Sequence, residues 1–209
     1  MISNNKVVDL IQNISLSDKK YVGKSICILA KFAQERLPIP NGFVITGLGF
    51  NQFLDFSDLK KYYENSKNRD GHIEGLENAF NATEVPGILR KEISNFYSKI
   101  SGFTDAYVNA RAFVLDNEGN ELEQKKFTSY DIRGEVNLAK TICEIYKNIV
   151  LENQDTSHLF FTGQLQIVIA IEKSVQSEAS GTMYTTDIVT KDKTKLVIEA
   201  VYGLESGAE

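Results

Sequence analysis

Two short stretches combine residue types in a way that could do chemistry: Val22-Gly23-Lys24-Ser25, and SEASGTMYTTD at 177–187. Gly-Lys-Ser is the tail of a phosphate-cradling loop. That loop needs a glycine five positions before Gly23, where Asp18 stands, and a strand ahead of it, which the pattern does not predict. The phosphate-loop reading is therefore rejected. What remains is Lys24 in the first turn of a helix, where free N–H groups and the dipole favour anions and slightly disfavour a lysine. Two readings stand for Lys24: a solvated side chain, or one that faces an external anion. In the second stretch, Ser180-Gly181 is a small step placed between apolar strands, with Thr185, Thr186 and Asp187 just beyond. A surface hairpin accounts for it. So does a nucleotide cleft, since glycine lets a ligand approach the backbone.

Other chemistry is sparse. His72 and His158 lack partners at metal-ligand spacing and read as surface histidines; no Ser/His/Asp or Cys/His arrangement stands out. Cys27 and Cys143 sit in apolar helical patterns and read as buried small hydrophobes of a reducing compartment. Glu172 closes an alternating strand and reads as a strand-end acid facing solvent. The 209 residues are 42% hydrophobic with a net charge of −5. These values suit one large domain or two small lobes, with no basic stripe for nucleic acid and no membrane span. The N-terminus is too polar for a signal peptide, so the expected location is the cytoplasm.

The elements that must position these residues follow from periodicity. Residues 24–37 place Ile26, Leu29, Ala30, Ala33 and Leu37 on one helical face, which Pro38 and Pro40 end. GFVIT (42–46) is a short buried strand, and 51–81 is a polar, tyrosine-rich helix with a loop. Residues 87–100 repeat the helical period through Leu89, Ile93, Phe96, Tyr97 and Ile100. AYVNARAFVLD (106–116) is a strand followed by a turn at 116–119, KFTSYDIRG is another strand, and 136–150 is an amphipathic helix. After a polar linker come strands QLQIVIAIE, GTMYTTD and KLVIEAVYG; in the first, Leu165, Ile167, Ile169 and Ile171 share one face. The chain closes on a strand and a Gly-containing turn with no element to follow, which reads as the end of a fragment.

In chain order, Gly23-Lys24, then Leu37-Pro38-Ile39-Pro40-Asn41-Gly42-Phe43-Val44-Ile45-Thr46, Phe50 through Leu54, IEKSVQSEASGTMYTTD and IEAVYGLESGAE strongly resemble the N-terminal ATP-binding domain of the phosphoenolpyruvate synthase and pyruvate phosphate dikinase family. The resemblance nearly covers the chain. It implies an α+β, ATP-grasp-like fold, C-terminally incomplete, with an N-terminal lobe over 1–105 and a β-rich lobe over 106–209. It implies an enzyme that uses ATP and Mg2+ to phosphorylate a histidine on a separate domain and then a small acceptor such as pyruvate. The partners would be ATP, the phosphohistidine domain and the pyruvate-type barrel, with neither nucleic acid nor membrane. The metal-binding acids of the family lie beyond residue 209, so none is assigned here.

The resemblance also assigns residues, and the chain departs from several. Lys24 would contact phosphates. Asn109 stands where the family has its phosphate-gripping arginine, and Arg111, two residues on and on the same strand face, would compensate. Thr128 would line the phosphate loop, whose glycine position holds Gln124, followed by Lys125 and Lys126. Glu172, at the family's glutamine position, and Val175 would flank the adenine; Ser174 replaces a methionine. Glu205, matched across a one-residue deletion, would approach the ribose or the metal. The alternative is a degenerate, non-catalytic member that works as a binding or interaction module. Both readings expect Lys24 and the Ser180-Gly181 step to face one crevice.

Overall fold

The computed structural model describes residues 6–67, 71–122 and 127–203, in two compact units that divide between Ser174 and Val175. In the first unit the described elements are β1 (Val8–Leu10), α1 (Lys19–Gln34), β2 (Gly42–Ile45), α2 (Gly47–Phe56), α3 (Leu59–Ser66), α4 (His72–Asn81), α5 (Gly87–Ser101), β3 (Tyr107–Asp116), β4 (Phe127–Arg133), α6 (Glu135–Glu152), α7 (Ser157–Phe161) and β5 (Leu165–Lys173). The second unit holds β6 (Ala179–Tyr184) and β7 (Val197–Tyr202). Helices with antiparallel sheets agree with the expected α+β, ATP-grasp-like class.

Five strands form one sheet in the order β1-β2-β5-β3-β4, every neighbour antiparallel. Strands from both sides of residue 105 thus share a sheet. β5 lies at the centre because its sequence is apolar nearly throughout. Leu165, Ile167, Ile169 and Ile171 join one core with α2, α5, α6 and α7, while Val168 and Ala170 face α1 through Ile26, Cys27 and Ala30. A strand expected to bury one face buries two, because α1 covers the second.

Helix α5 buries Leu89, Ile93, Tyr97 and Ile100, four of the five residues expected on its face; Phe96 is half-buried against the same core. The Tyr97 hydroxyl donates to the Ala106 carbonyl (2.7 Å) and accepts the Gly134 N–H (2.9 Å), tying the starts of β3 and α6 together. The segment 51–81 departs from expectation: three helices replace one, with Phe53, Leu54, Tyr63, Leu76 and Phe80 buried among its tyrosines and lysines. Helix α1 ends at Gln34 rather than Leu37, which is exposed after Arg36 takes a positive φ of 62°.

In the second unit β6 and β7 pair from Ala179↔Tyr202 to Tyr184↔Val197. Ser180 and Gly181 therefore lie inside a strand and are not a step between strands. The close approach that glycine permits is to the partner strand: a Cβ on Gly181 would lie 2.8 Å from the Ala200 Cα. Ser180 Oγ donates to the Gly203 carbonyl at 2.8 Å.

Candidate functional site

On β3 the side chains alternate. Val108, Ala110, Ala112 and Val114 enter the main core, which puts Asn109, Arg111, Phe113 and Leu115 on the face that α1 partly covers. Directly opposed residues in antiparallel strands point the same way. Asn109 opposes Glu172 on β5, and Arg111 lies between Ala170 on β5 and Thr128 on β4. Four of the expected site residues, Asn109, Arg111, Thr128 and Glu172, thus converge on one patch of one sheet face.

Their internal contacts differ from what the sequence suggests. Glu172 is buried, not solvent-facing, because β2 and β3 flank it and Asn109 and Gly42 are its cross-strand neighbours. Its carboxylate accepts a hydrogen bond from the Arg111 guanidinium in a direct ion pair. The arginine side chain is 42% exposed and the carboxylate side chain 12%, so the pair opens to solvent on the arginine side. Arg111 also lies 6.0 Å from the Phe113 ring centroid. The Asn109 amide oxygen accepts the Asp131 N–H at 3.0 Å, across a bulge that shifts the β3–β4 register. Asp131 has a positive φ of 53°, and its carboxylate accepts Ser174 Oγ at 3.0 Å. Asn109 therefore holds the bulge in shape rather than presenting its oxygen outward.

Lys24 belongs to the other end of the same face. Gly23, with φ 82° and ψ 168°, breaks α1 just before it, so residues from Lys24 onward begin a fresh helical run with free N–H groups. A Cβ on Gly23 would meet Leu115 Cδ2 at 3.0 Å. Lys24 thus starts its helix over Leu115, four residues along β3 from Arg111, or about 13 Å of strand rise. An open hollow of about 380 Å3 is lined there by Lys19, Lys24, Ser25, Ile28, Asn120 and Glu121. Lys24 itself is exposed and makes no ion pair with the described residues.

Sequence reasoning missed Glu121. Its carboxylate accepts the Ser25 N–H and the Ser25 hydroxyl, each at 2.6 Å, from 96 residues away. No local pattern advertises such a contact. Val175 opens the second unit with an exposed side chain. Gln124, Lys125, Lys126 and Glu205 lie outside the described residues.

The cysteines are free thiols. Burial, reinforced by Asp18, pushes the Cys27 thiol up to about 11; burial likewise raises Cys143 to about 11. Neither has the depressed value of a nucleophile. A second hollow, of about 300 Å3, lies by α6 and the α4–α5 connection and is lined among others by Phe80, Glu84, Arg90, Cys143 and Lys147. It shares no residue with the sheet-face patch. No helix among the described residues is long and apolar enough to cross a membrane.

Residues 20–208 match the model of the pyruvate phosphate dikinase AMP/ATP-binding domain, a span that runs from the α1 break through β3, β4, β5 and the second unit. The chain belongs to this family. Among its relatives are the phosphoenolpyruvate synthase of Aeropyrum pernix, 25% identical over 88% of this chain and 24% of that protein. The prodigiosin synthesizing transferase PigC of Serratia marcescens is 21% identical over 96% of this chain and 22% of its own length. The rifampicin phosphotransferase of Bacillus cereus is 23% identical over 80% of this chain and 21% of its own length. The chain thus spans less than a quarter of each of these relatives. On the α1 side of the sheet it carries Asn109, Arg111, Thr128 and Glu172, with Arg111 near the middle of β3 and Lys24 on α1, beside Leu115 near that strand's end.

Proposed function

We propose that this domain binds ATP·Mg2+ along the α1 side of its five-stranded sheet, as the ATP-binding part of a phosphotransferase. The observation that carries the reading is the clustering of Arg111, Thr128 and Glu172 on the face that also bears Lys24, in a chain of an ATP-binding family. Lys24 engages phosphates from the start of its helical run, where N–H groups and dipole assist. Arg111 engages them from the middle of β3, offering a fork of donors suited to phosphate oxygens, with Thr128 beside it. Glu172 and Val175 flank the adenine, and Glu205 approaches the ribose or the metal. Phosphoryl transfer of this kind rests on positioning and charge neutralisation. The reaction we assign to the whole protein is phosphorylation of a histidine on a separate domain, followed by transfer to a small acceptor such as pyruvate in a barrel domain. We place it in the cytoplasm.

A second reading, a non-catalytic binding module, is favoured by one specific observation: Asn109 and Arg111 both have internal partners, in Asp131 and Glu172. Titration with ATP·Mg2+, followed by thermal denaturation, separates the two. A ligand selective for the folded state at a hundredfold excess over its Kd adds about 2.7 kcal/mol. The phosphotransferase reading expects a saturable rise that Arg111→Ala removes. No rise at millimolar nucleotide favours the module.

A further inference from the structure

The turn that receives Lys24 already holds an anion, and it comes from the chain itself. The two oxygens of Glu121 take the N–H and the hydroxyl of Ser25, both at 2.6 Å. One of them fills the space before Gly23, where a Cβ would stand 2.8 Å from it. A backbone N–H in the first turn of a helix is what a phosphate oxygen would otherwise take. Glu121 is also delivered by a braced turn. Lys19 Nζ donates to Asn120 Oδ1 at 2.8 Å, and the Asp116 carboxylate accepts the Asn120 N–H at 2.9 Å and its side-chain amide at 2.9 Å.

We propose that Glu121 is an internal competitor for the phosphate seat: its carboxylate occupies the Gly23-Ser25 turn in the unliganded domain, and a polyphosphate binds there by displacing it. The inference rests on the reading of Lys24 as a phosphate contact. Charge sets the direction of the exchange. Lys19 and Lys24 both line the hollow, and Lys24 is unpaired among the described residues, so the hollow attracts more negative charge than one carboxylate supplies. A triphosphate brings more charge than that carboxylate and gains Lys24. Orthophosphate brings less charge than a triphosphate and has to overcome the same two hydrogen bonds. The contact thus makes the seat selective for polyphosphates and holds off free phosphate.

The test measures binding of inorganic tripolyphosphate and of ATP to the chain and to Glu121→Gln, by calorimetry at fixed ionic strength. Glutamine keeps the shape and weakens the two hydrogen bonds by removing the charge. The expected result is about tenfold tighter binding of both probes to the variant, equivalent to about 1.4 kcal/mol. Glu121→Asp, which keeps the charge and shortens the reach, is expected to tighten binding also, because the seat is vacated. Unchanged affinity in both variants, with the parent chain binding normally and Lys24→Ala abolishing binding, overturns the competitor role and leaves the nucleotide reading standing. Binding by neither the parent nor either variant overturns both. Tightening in Glu121→Gln without tightening in Glu121→Asp assigns the effect to background charge and overturns occupancy of the seat.

Discussion

Splitting the Arg111–Glu172 pair from its two sides is expected to give unequal losses. Arg111→Ala leaves a carboxylate whose side chain is 12% exposed without its cationic partner. A buried acceptor stripped of its partner costs about 1–3 kcal/mol, and a charged one belongs near the upper end. Glu172→Gln instead leaves a guanidinium that is 42% exposed and can be hydrated where it stands. Losing a pair that is open to water on one side costs about 0–1 kcal/mol. The arginine variant is therefore expected to be less stable than the glutamine variant by about 1–2 kcal/mol. Urea denaturation at pH 7 resolves this, since a slope of about 1–3 kcal/mol per molar makes the difference a midpoint shift of roughly a third of a molar or more. Equal losses, or a larger loss for Glu172→Gln, refute the argument that burial of the carboxylate sets the energetics. The same variants bear on function. Arg111→Ala should lose stabilisation by ATP, whereas Glu172→Gln, with its arginine released, should keep it.

Other perturbations follow from single contacts. Gly23→Ala puts a side chain at φ 82° with Glu121 and Leu115 in its way, and should cost about 1–3 kcal/mol in chemical denaturation. Tyr146→Phe should leave stability unchanged or raise it by up to about 1 kcal/mol, because the buried hydroxyl has no hydrogen-bond partner among the described residues and its loss strands none of their groups. The Asp116 carboxyl is held below the usual range, chiefly by the Asn120 N–H, then by the Asn120 side chain. A depressed folded value means its contribution is present above the unfolded value of about 3.9 and is lost as pH falls through the folded one. Denaturation midpoints of the parent and Asp116→Ala should accordingly differ at pH 7 and draw together below about pH 4.

Much of the framework was legible because periodicity reports burial. The helical faces of α5 and α6 and the alternation along β3 and β5 were readable from residue type alone. The pairing of Asn109 and Arg111 with one strand face followed from the twofold repeat. What escaped depended on neighbours distant in sequence. Burial of Glu172 follows from β2 and β3 lying on either side of β5, which periodicity within β5 does not reveal. β1 contributes only Val8–Leu10, too short for an alternating pattern to register. Ser180 and Gly181 look like a break because small residues commonly mark turns, yet cross-strand closeness to β7 accounts for the glycine. The Glu121–Ser25 contact joins residues that share no motif.

The central claim is that ATP·Mg2+ lies on the α1 side of the sheet, between the Lys24 turn and Arg111. Backbone amide shifts from a nuclear magnetic resonance titration of the chain with ATP·Mg2+ test it most directly. The account predicts saturable shifts at Lys24, Ser25 and Ile26, and at Arg111 and Thr128, with residues lining the hollow by α6 unmoved. Shifts confined to that hollow, or none anywhere on the sheet face at millimolar nucleotide, would contradict it.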